Sequence, residues 1–202
     1  WTHETDSVSL EVARDSQLMH PRQVLRELEK AMPRHAMVST DIGNICSVSN
    51  SYLRFEEPRS MFAAMSFGNC GYAFPVACGA KIAAPDRPMI AYVGDGAWGI
   101  SLNELLTCAR EKIGVTVVVF NNGQWGAEKK NHVDFYSQRF QAVDLVSPSW
   151  AGVAKAFGCE GVTVDKLSDV GPALQASMQA QSEGKTTILE MMVTRELGDP
   201  FR

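Results

Sequence analysis

The sequence predicts an α/β protein built on an open, doubly wound, mostly parallel sheet of about six strands with helices on both faces. Two observations predict that class. Short, wholly apolar runs recur along the chain instead of alternating apolar and polar residues, as strands buried on both faces require. Stretches with helical spacing separate those runs. The residues directly after two of the runs are glycines, carboxylates and amides. They lie where sheets of this kind bind ligands, beyond the carboxyl ends of the strands.

The elements follow in order. Residues 1 to 19 are polar and read as an arm or linker from a preceding domain. A helix begins at Pro21, because PRQVLRELEKAM places Val24, Leu25, Leu28 and Met32 on one face and Pro suits a first helical turn. The apolar runs are AMVST (36–40), PMIAYV (88–93), VTVVVF (115–120), GVTV (161–164) and TTILEMMV (186–193). Helical stretches occupy roughly 70–84, 99–112, 149–158 and 168–182. There is no internal repeat and no low-complexity segment, so residues 20–195 read as one domain followed by a truncated tail, 196–202.

Composition narrows the function classes. The 202 residues are 45% hydrophobic and 21% charged, as in an ordinary soluble globular protein. A net charge of −4 offers no electrostatic footprint for nucleic acid or an anionic membrane. No apolar run approaches the roughly 20 residues that span a bilayer, and the start lacks the pattern of a signal peptide, so the expected compartment is the cytoplasm. Cys46, Cys70, Cys78, Cys108 and Cys159 are odd in number and never in a C-x-x-C pair. They suggest neither a disulfide framework nor zinc, and read as small buried thiols.

The chemistry is concentrated after two strands. Gly94-Asp95-Gly96-Ala97 follows PMIAYV, and Asn121-Asn122-Gly123-Gln124 follows VTVVVF. If those strands are neighbours, the side chains of Asp95 and Asn122 meet at one sheet edge. A carboxylate oxygen and an amide oxygen, with glycines that permit close backbone approach, suit a hard divalent cation such as Mg²⁺. Two side chains alone hold Mg²⁺ poorly, so a phosphate-bearing ligand is expected to complete its shell near the N–H groups of Gly96 and Ala97. Either motif taken alone is a common turn or loop; together, each after a buried strand, they point to magnesium diphosphate.

G-D-G and N-N, with residues 97–120 between them, resemble the signature of thiamine-diphosphate enzymes of the acetolactate synthase and pyruvate oxidase type. The resemblance implies a diphosphate-binding domain in which Asp95, Asn122 and the main-chain oxygen of Gln124 are metal ligands and Gly94, Gly96 and Ala97 lie at the diphosphate. STDIGN (39–44) is similar to a turn that helps hold the diphosphate, which points to Gly43 and Asn44. MSFGNCGYAFPVACGA (65–80) is similar to the segment beneath the aminopyrimidine. It implies that the Gly68 carbonyl and Cys70 N–H grip the ring edge and that the Cys70 side chain wedges the cofactor into its bent shape. Cys is smaller than the Met, Leu or Ile common in relatives, so a neighbour would share the wedging. The alternative for Cys70 is a buried thiol at a helix start.

The resemblance implies no catalytic residue in this chain. The family's activating glutamate lies in a separate N-terminal pyrimidine-binding domain, usually supplied by a partner subunit, and Glu104 reads as a helix-surface acid. The expectation is half an active site, inactive alone and completed by missing pyrimidine-binding and middle domains in a homodimer or homotetramer.

NNGQWGAEKKN followed by VDFY, with ELGDPFR near the end, closely resembles the sulfoacetaldehyde acetyltransferase branch of the family. That implies conversion of sulfoacetaldehyde and phosphate to acetyl phosphate and sulfite. Both substrates are anions, and Lys129, Lys130 and Arg139 form a basic cluster in an acidic chain. The alternative reading is a solvated helix face with Glu128 as ion-pair partner. Trp125 is a further substrate-side candidate. Phe135, Tyr136 and Phe140 are either pocket wall or core packing, and His132 is either a proton donor or acceptor or a surface histidine. Rival functions are an acetolactate synthase-like carboligase or decarboxylase acting on pyruvate, and a non-catalytic diphosphate-binding module. A Rossmann nucleotide binder is weakened because no G-x-G-x-x-G follows a strand.

Overall fold

Residues 18–195 are described by the structure, a computed structural model. The proposed arm at 1–19 and tail at 196–202 therefore fall almost wholly outside the described residues. Six parallel strands form one sheet: β1 (Met37–Thr40), β2 (Met61–Ala63), β3 (Met89–Gly94), β4 (Thr116–Asn121), β5 (Glu160–Val164) and β6 (Thr187–Met192). Their order is β2-β1-β3-β4-β6-β5. Helices are α1 (Pro21–Ala31), α2 (Asn44–Ser49), α3 (Ala73–Ala83), α4 (Asp95–Ser101), α5 (Leu105–Glu111), α6 (Gly126–Phe135), α7 (Trp150–Ala156) and α8 (Leu167–Ser182), with a 3₁₀ turn at Leu102–Glu104.

Alternation along each central strand feeds two cores. Ile90 and Tyr92 of β3, Val118 and Phe120 of β4, and Leu189 and Met191 of β6 face α1 and α8. Ala91, Val93, Val117, Val119 and Ile188 face α3, α5 and α7 on the other side. These two buried faces are the physical reason the strands read as unbroken apolar runs. No helix among the described residues is long and apolar enough to cross a membrane.

Five strands lie within a residue or so of the apolar runs. The sixth, β2, is a three-residue edge strand paired with β1, too short to show a period. The stretch expected to be helical from 99 to 112 begins at Asp95 and breaks at the 3₁₀ turn. It ends at Lys112, whose left-handed φ of 53° closes the last turn through an N–H bond to the Cys108 carbonyl. The helix thus rises directly from the glycine turn after β3. Among the described thiols, Cys78 and Cys108 are buried with sulfurs 3.4 Å apart, whereas Cys70 and Cys159 are only half-buried; the Cys46 side chain lies outside the described residues. The expectation of uniformly buried thiols is corrected for those two.

Candidate diphosphate site

β3 and β4 are hydrogen-bonded neighbours, with Gly94 opposite Phe120, so the loops that follow them emerge side by side. Asp95 is the first residue of α4 and is 2% exposed. Its Oδ1 accepts from the Gly96 N–H at 3.0 Å, and its Oδ2 accepts from the Gly123 N–H at 2.8 Å, across the gap between the loops. Asn122 Oδ1 accepts from the Gln124 N–H at 3.2 Å. One carboxylate therefore ties the end of one strand to the loop after the next. Burial pushes the Asp95 carboxyl up to about 6 against the pull of the Gly123 and Gly96 N–H groups and the Arg195 charge. A cation at this position relieves that cost.

These loops form one wall of a cavity of about 210 Å³. Gly43, Asn44, Gly68, Cys70, Gly94, Asp95, Gly96, Ala97, Asn122 and Gln124 all line it. Trp125 joins them, packed so close to Gly96 that a Cβ there would lie 2.8 Å from three ring carbons. Glycine at 96 is thus a condition of the wall's shape. The donor set fits a hard cation carrying a phosphate group. It offers a buried carboxylate, an amide oxygen on Asn122 and, from the adjoining loop, Gln124 at the cavity wall.

The other substrate candidates lie elsewhere. Lys129, Lys130 and Arg139 do not line the cavity. Lys129 is buried, its Nζ 3.8 Å from Asp144 Oδ1 and 5.5 Å from the centroid of Phe140. Lys130 pairs with Asp134 at 2.9 Å. Arg139 is exposed and its Nε donates to the Tyr136 carbonyl at 3.2 Å. Glu128, weighed in the sequence as an ion-pair partner, instead reaches the cavity wall. His132, Tyr136 and Phe140 make a ring cluster beside α6. Glu104 sits in the 3₁₀ turn, half-buried, accepting from the Thr107 hydroxyl at 3.0 Å.

Two further buried acids brace this end of the sheet. Glu190, on β6, accepts at Oε1 from Asn121 Nδ2 (2.9 Å) and the Trp150 N–H (3.1 Å). Its Oε2 accepts from the Ala151 N–H (3.2 Å), Ser149 Oγ (3.2 Å) and Thr163 Oγ1 (3.0 Å). The adjacent amides thus divide, Asn121 turning to Glu190 while Asn122 lines the cavity. Asp41, at the end of β1, accepts from the backbone N–H groups of Ile42, Gly71 and Ala73. Only its place directly after a buried strand could have drawn attention to it.

A family model described as "Thiamine pyrophosphate enzyme, C-terminal TPP binding domain" matches residues 41–191. The chain is 64% identical to a sulfoacetaldehyde acetyltransferase of Castellaniella defragrans and 62% identical to one of Alcaligenes xylosoxydans xylosoxydans. Each match covers the whole of this chain and 35% of the relative, so the chain spans about a third of the length of these curated relatives. Among solved structures, a thiamine diphosphate-dependent 4-hydroxybenzoylformate decarboxylase of Rhodococcus jostii RHA1 superposes with a TM-score of 0.80. That match covers 91% of this chain and 34% of the other at 23% identity, a likeness of fold.

Proposed function

The chain belongs to the thiamine pyrophosphate enzymes, of which it carries the C-terminal cofactor-binding domain, and from that premise we propose that it serves a sulfoacetaldehyde acetyltransferase. The whole enzyme would convert sulfoacetaldehyde and phosphate to acetyl phosphate and sulfite. The observation that carries the site is the convergence of ten residues from four separate loops on one cavity at the carboxyl ends of β1, β3 and β4. The 64% identity over the full chain supports the reaction.

In this reading Asp95, Asn122 and the Gln124 main-chain oxygen hold Mg²⁺, while Gly94, Gly96, Ala97, Gly43 and Asn44 meet the diphosphate. Gly68 and Cys70 meet the aminopyrimidine, and Trp125 closes the wall. When bound, the cofactor supplies the carbon nucleophile and the electron sink that acyl transfer from an aldehyde requires. This chain's part is to orient it, to offset the anionic charge of its diphosphate with a cation, and to exclude water from one side. Cys70 contributes a neutral thiol: burial and the charges of Asp41 and Glu128 push it above the usual thiol range.

The cavity of about 210 Å³ is smaller than the roughly 300–1,000 Å³ of a complete small-molecule site. That size is consistent with a shared site, and in this reading further domains of the same polypeptide complete it in a cytoplasmic homodimer or homotetramer. The test is a product assay on the full-length polypeptide. Sulfite and acetyl phosphate should appear from sulfoacetaldehyde and phosphate, and the isolated chain should give none. CO₂ from pyruvate without sulfite from sulfoacetaldehyde would replace this reading with an acetolactate synthase-like one.

A further inference from the structure

We propose that Asp41, fixed at the end of β1, is a positioning residue that holds the cavity wall at residues 68–71 in place against residues 42–44, and thereby sets the grip on the part of the cofactor beyond its diphosphate. The proposal rests on the reading that this cavity takes thiamine pyrophosphate, and it adds a residue that touches neither cation nor phosphate in that reading.

Asp41 is 1% exposed and leaves β1 with its own N–H donating to the Tyr92 carbonyl at 2.9 Å, so its backbone is fixed to β3. Its carboxylate then reaches both walls. Oδ1 accepts from the Ile42 N–H and the Gly71 N–H, each at 3.0 Å, and Oδ2 accepts from the Ala73 N–H at 2.9 Å. Ile42 precedes Gly43 and Asn44, and Gly71 follows Cys70, all three of them cavity residues. The walls also run close together, since a Cβ added at Gly68 would lie 4.0 Å from Ile42 Cγ1.

The segment held this way is not secured by its own sequence. Gly71 has a left-handed φ of 82°, and a Cβ there would lie 3.0 Å from Ile100 Cγ2. Tyr72, at the N-cap of α3, gives that helix no side-chain cap. Asp41 supplies from another strand the acceptor that a local cap would provide, and Ser39 Oγ adds a bond to the Ala73 carbonyl at 2.8 Å. Oδ1 takes the Ile42 and Gly71 bonds and Oδ2 takes the Ala73 bond at the start of α3, so the full set needs two accepting oxygens; an amide has one acceptor and must turn a donor either towards Ala73 or towards Ile42 and Gly71.

Asp41→Asn in the full-length protein tests this by titration calorimetry, with Mg²⁺ present, against thiamine diphosphate and against inorganic diphosphate. The expected result is a fall of about ten- to a hundredfold for thiamine diphosphate and of less than about threefold for inorganic diphosphate. Gly71→Ala strains the same segment and leaves the carboxylate in place; it should show the same selective fall, which keeps the test decisive if Asp41→Asn does not fold. Equal falls for both ligands, or unchanged thiamine diphosphate affinity, in the folded variants would overturn the role of Asp41. Wild-type protein that binds thiamine diphosphate no tighter than inorganic diphosphate would instead sink the cofactor reading itself.

Discussion

Replacing Asp95 by Asn should make the ligand-free protein no less stable and the ligand-bound protein much less so. Its carboxyl is raised by burial from the ordinary 3.8 to about 6. A carboxyl raised in the folded state contributes stability that is complete below the unfolded value and lost as pH rises through the folded one. At pH 7.5 the ionised, buried group therefore costs about 3 kcal/mol, from roughly two pH units at 1.36 kcal/mol each. Asp95→Asn removes that cost. It also forfeits one of the two bonds from Gly96 and Gly123, since an amide has one acceptor, at about 1–3 kcal/mol. The balance lies between neutral and a gain of about 2 kcal/mol, or a melting temperature unchanged to several degrees higher. In the wild type, thiamine diphosphate and Mg²⁺ at a hundredfold excess over Kd add about 2.7 kcal/mol, worth roughly 5–11 °C. Thermal melting of both proteins, with and without ligand, should show the two orders crossing. A variant that melts well below the wild type without ligand, and still gains the full ligand shift, would refute the assignment of Asp95 as a cation-bearing carboxylate.

The same proton competes with the metal, so Mg²⁺ affinity should hold above about pH 6 and fall about tenfold for each further pH unit of acidification; calorimetry showing a flat affinity from pH 7.5 to 5 would contradict it. Gly96→Ala drives a methyl into the Trp125 ring 2.8 Å away and should cost about 1–3 kcal/mol, with a blue- or red-shifted tryptophan emission as the ring moves. Glu190→Ala strands the donors of Asn121, Trp150, Ala151, Ser149 and Thr163. It should cost about 3 kcal/mol or more in chemical denaturation, whereas Glu190→Gln keeps one acceptor and should lose less. Arg139→Gln, on an exposed side chain outside the cavity, should change stability by less than about 0.5 kcal/mol; a raised Michaelis constant for phosphate or sulfoacetaldehyde would return Arg139 to the substrate site.

Much of the fold is legible because parallel strands buried on both faces write themselves as apolar runs. Val117, Val118, Val119 and Phe120 serve two cores at once, so no polar residue interrupts them. β2 is invisible for the opposite reason: three partly exposed edge residues impose no pattern. The start of α4 hides in Gly-Asp-Gly, which reads as a turn, although the helix begins on that Asp. In the site, Asp95 and Asn122 stand out because each follows a buried strand directly. Asp41 also follows a buried strand directly, but what marks it and Glu190 as braces is the set of distant N–H groups they receive.

The sequence by itself determined the class of sheet and placed the candidate site residues at its strand ends. Those properties depend on periods of two and of 3.6 residues and on side chains at strand ends, all local in the chain. Only the tertiary structure decided that Asn121 turns to Glu190 while Asn122 lines the cavity. It also decided that Glu128 reaches the cavity while Lys129, Lys130 and Arg139 do not, and that Asp41 joins two walls distant in sequence. The reason is geometric: which way a strand-end or helix residue points is set by what packs against it, and those partners come from strands and helices that local sequence does not bring together.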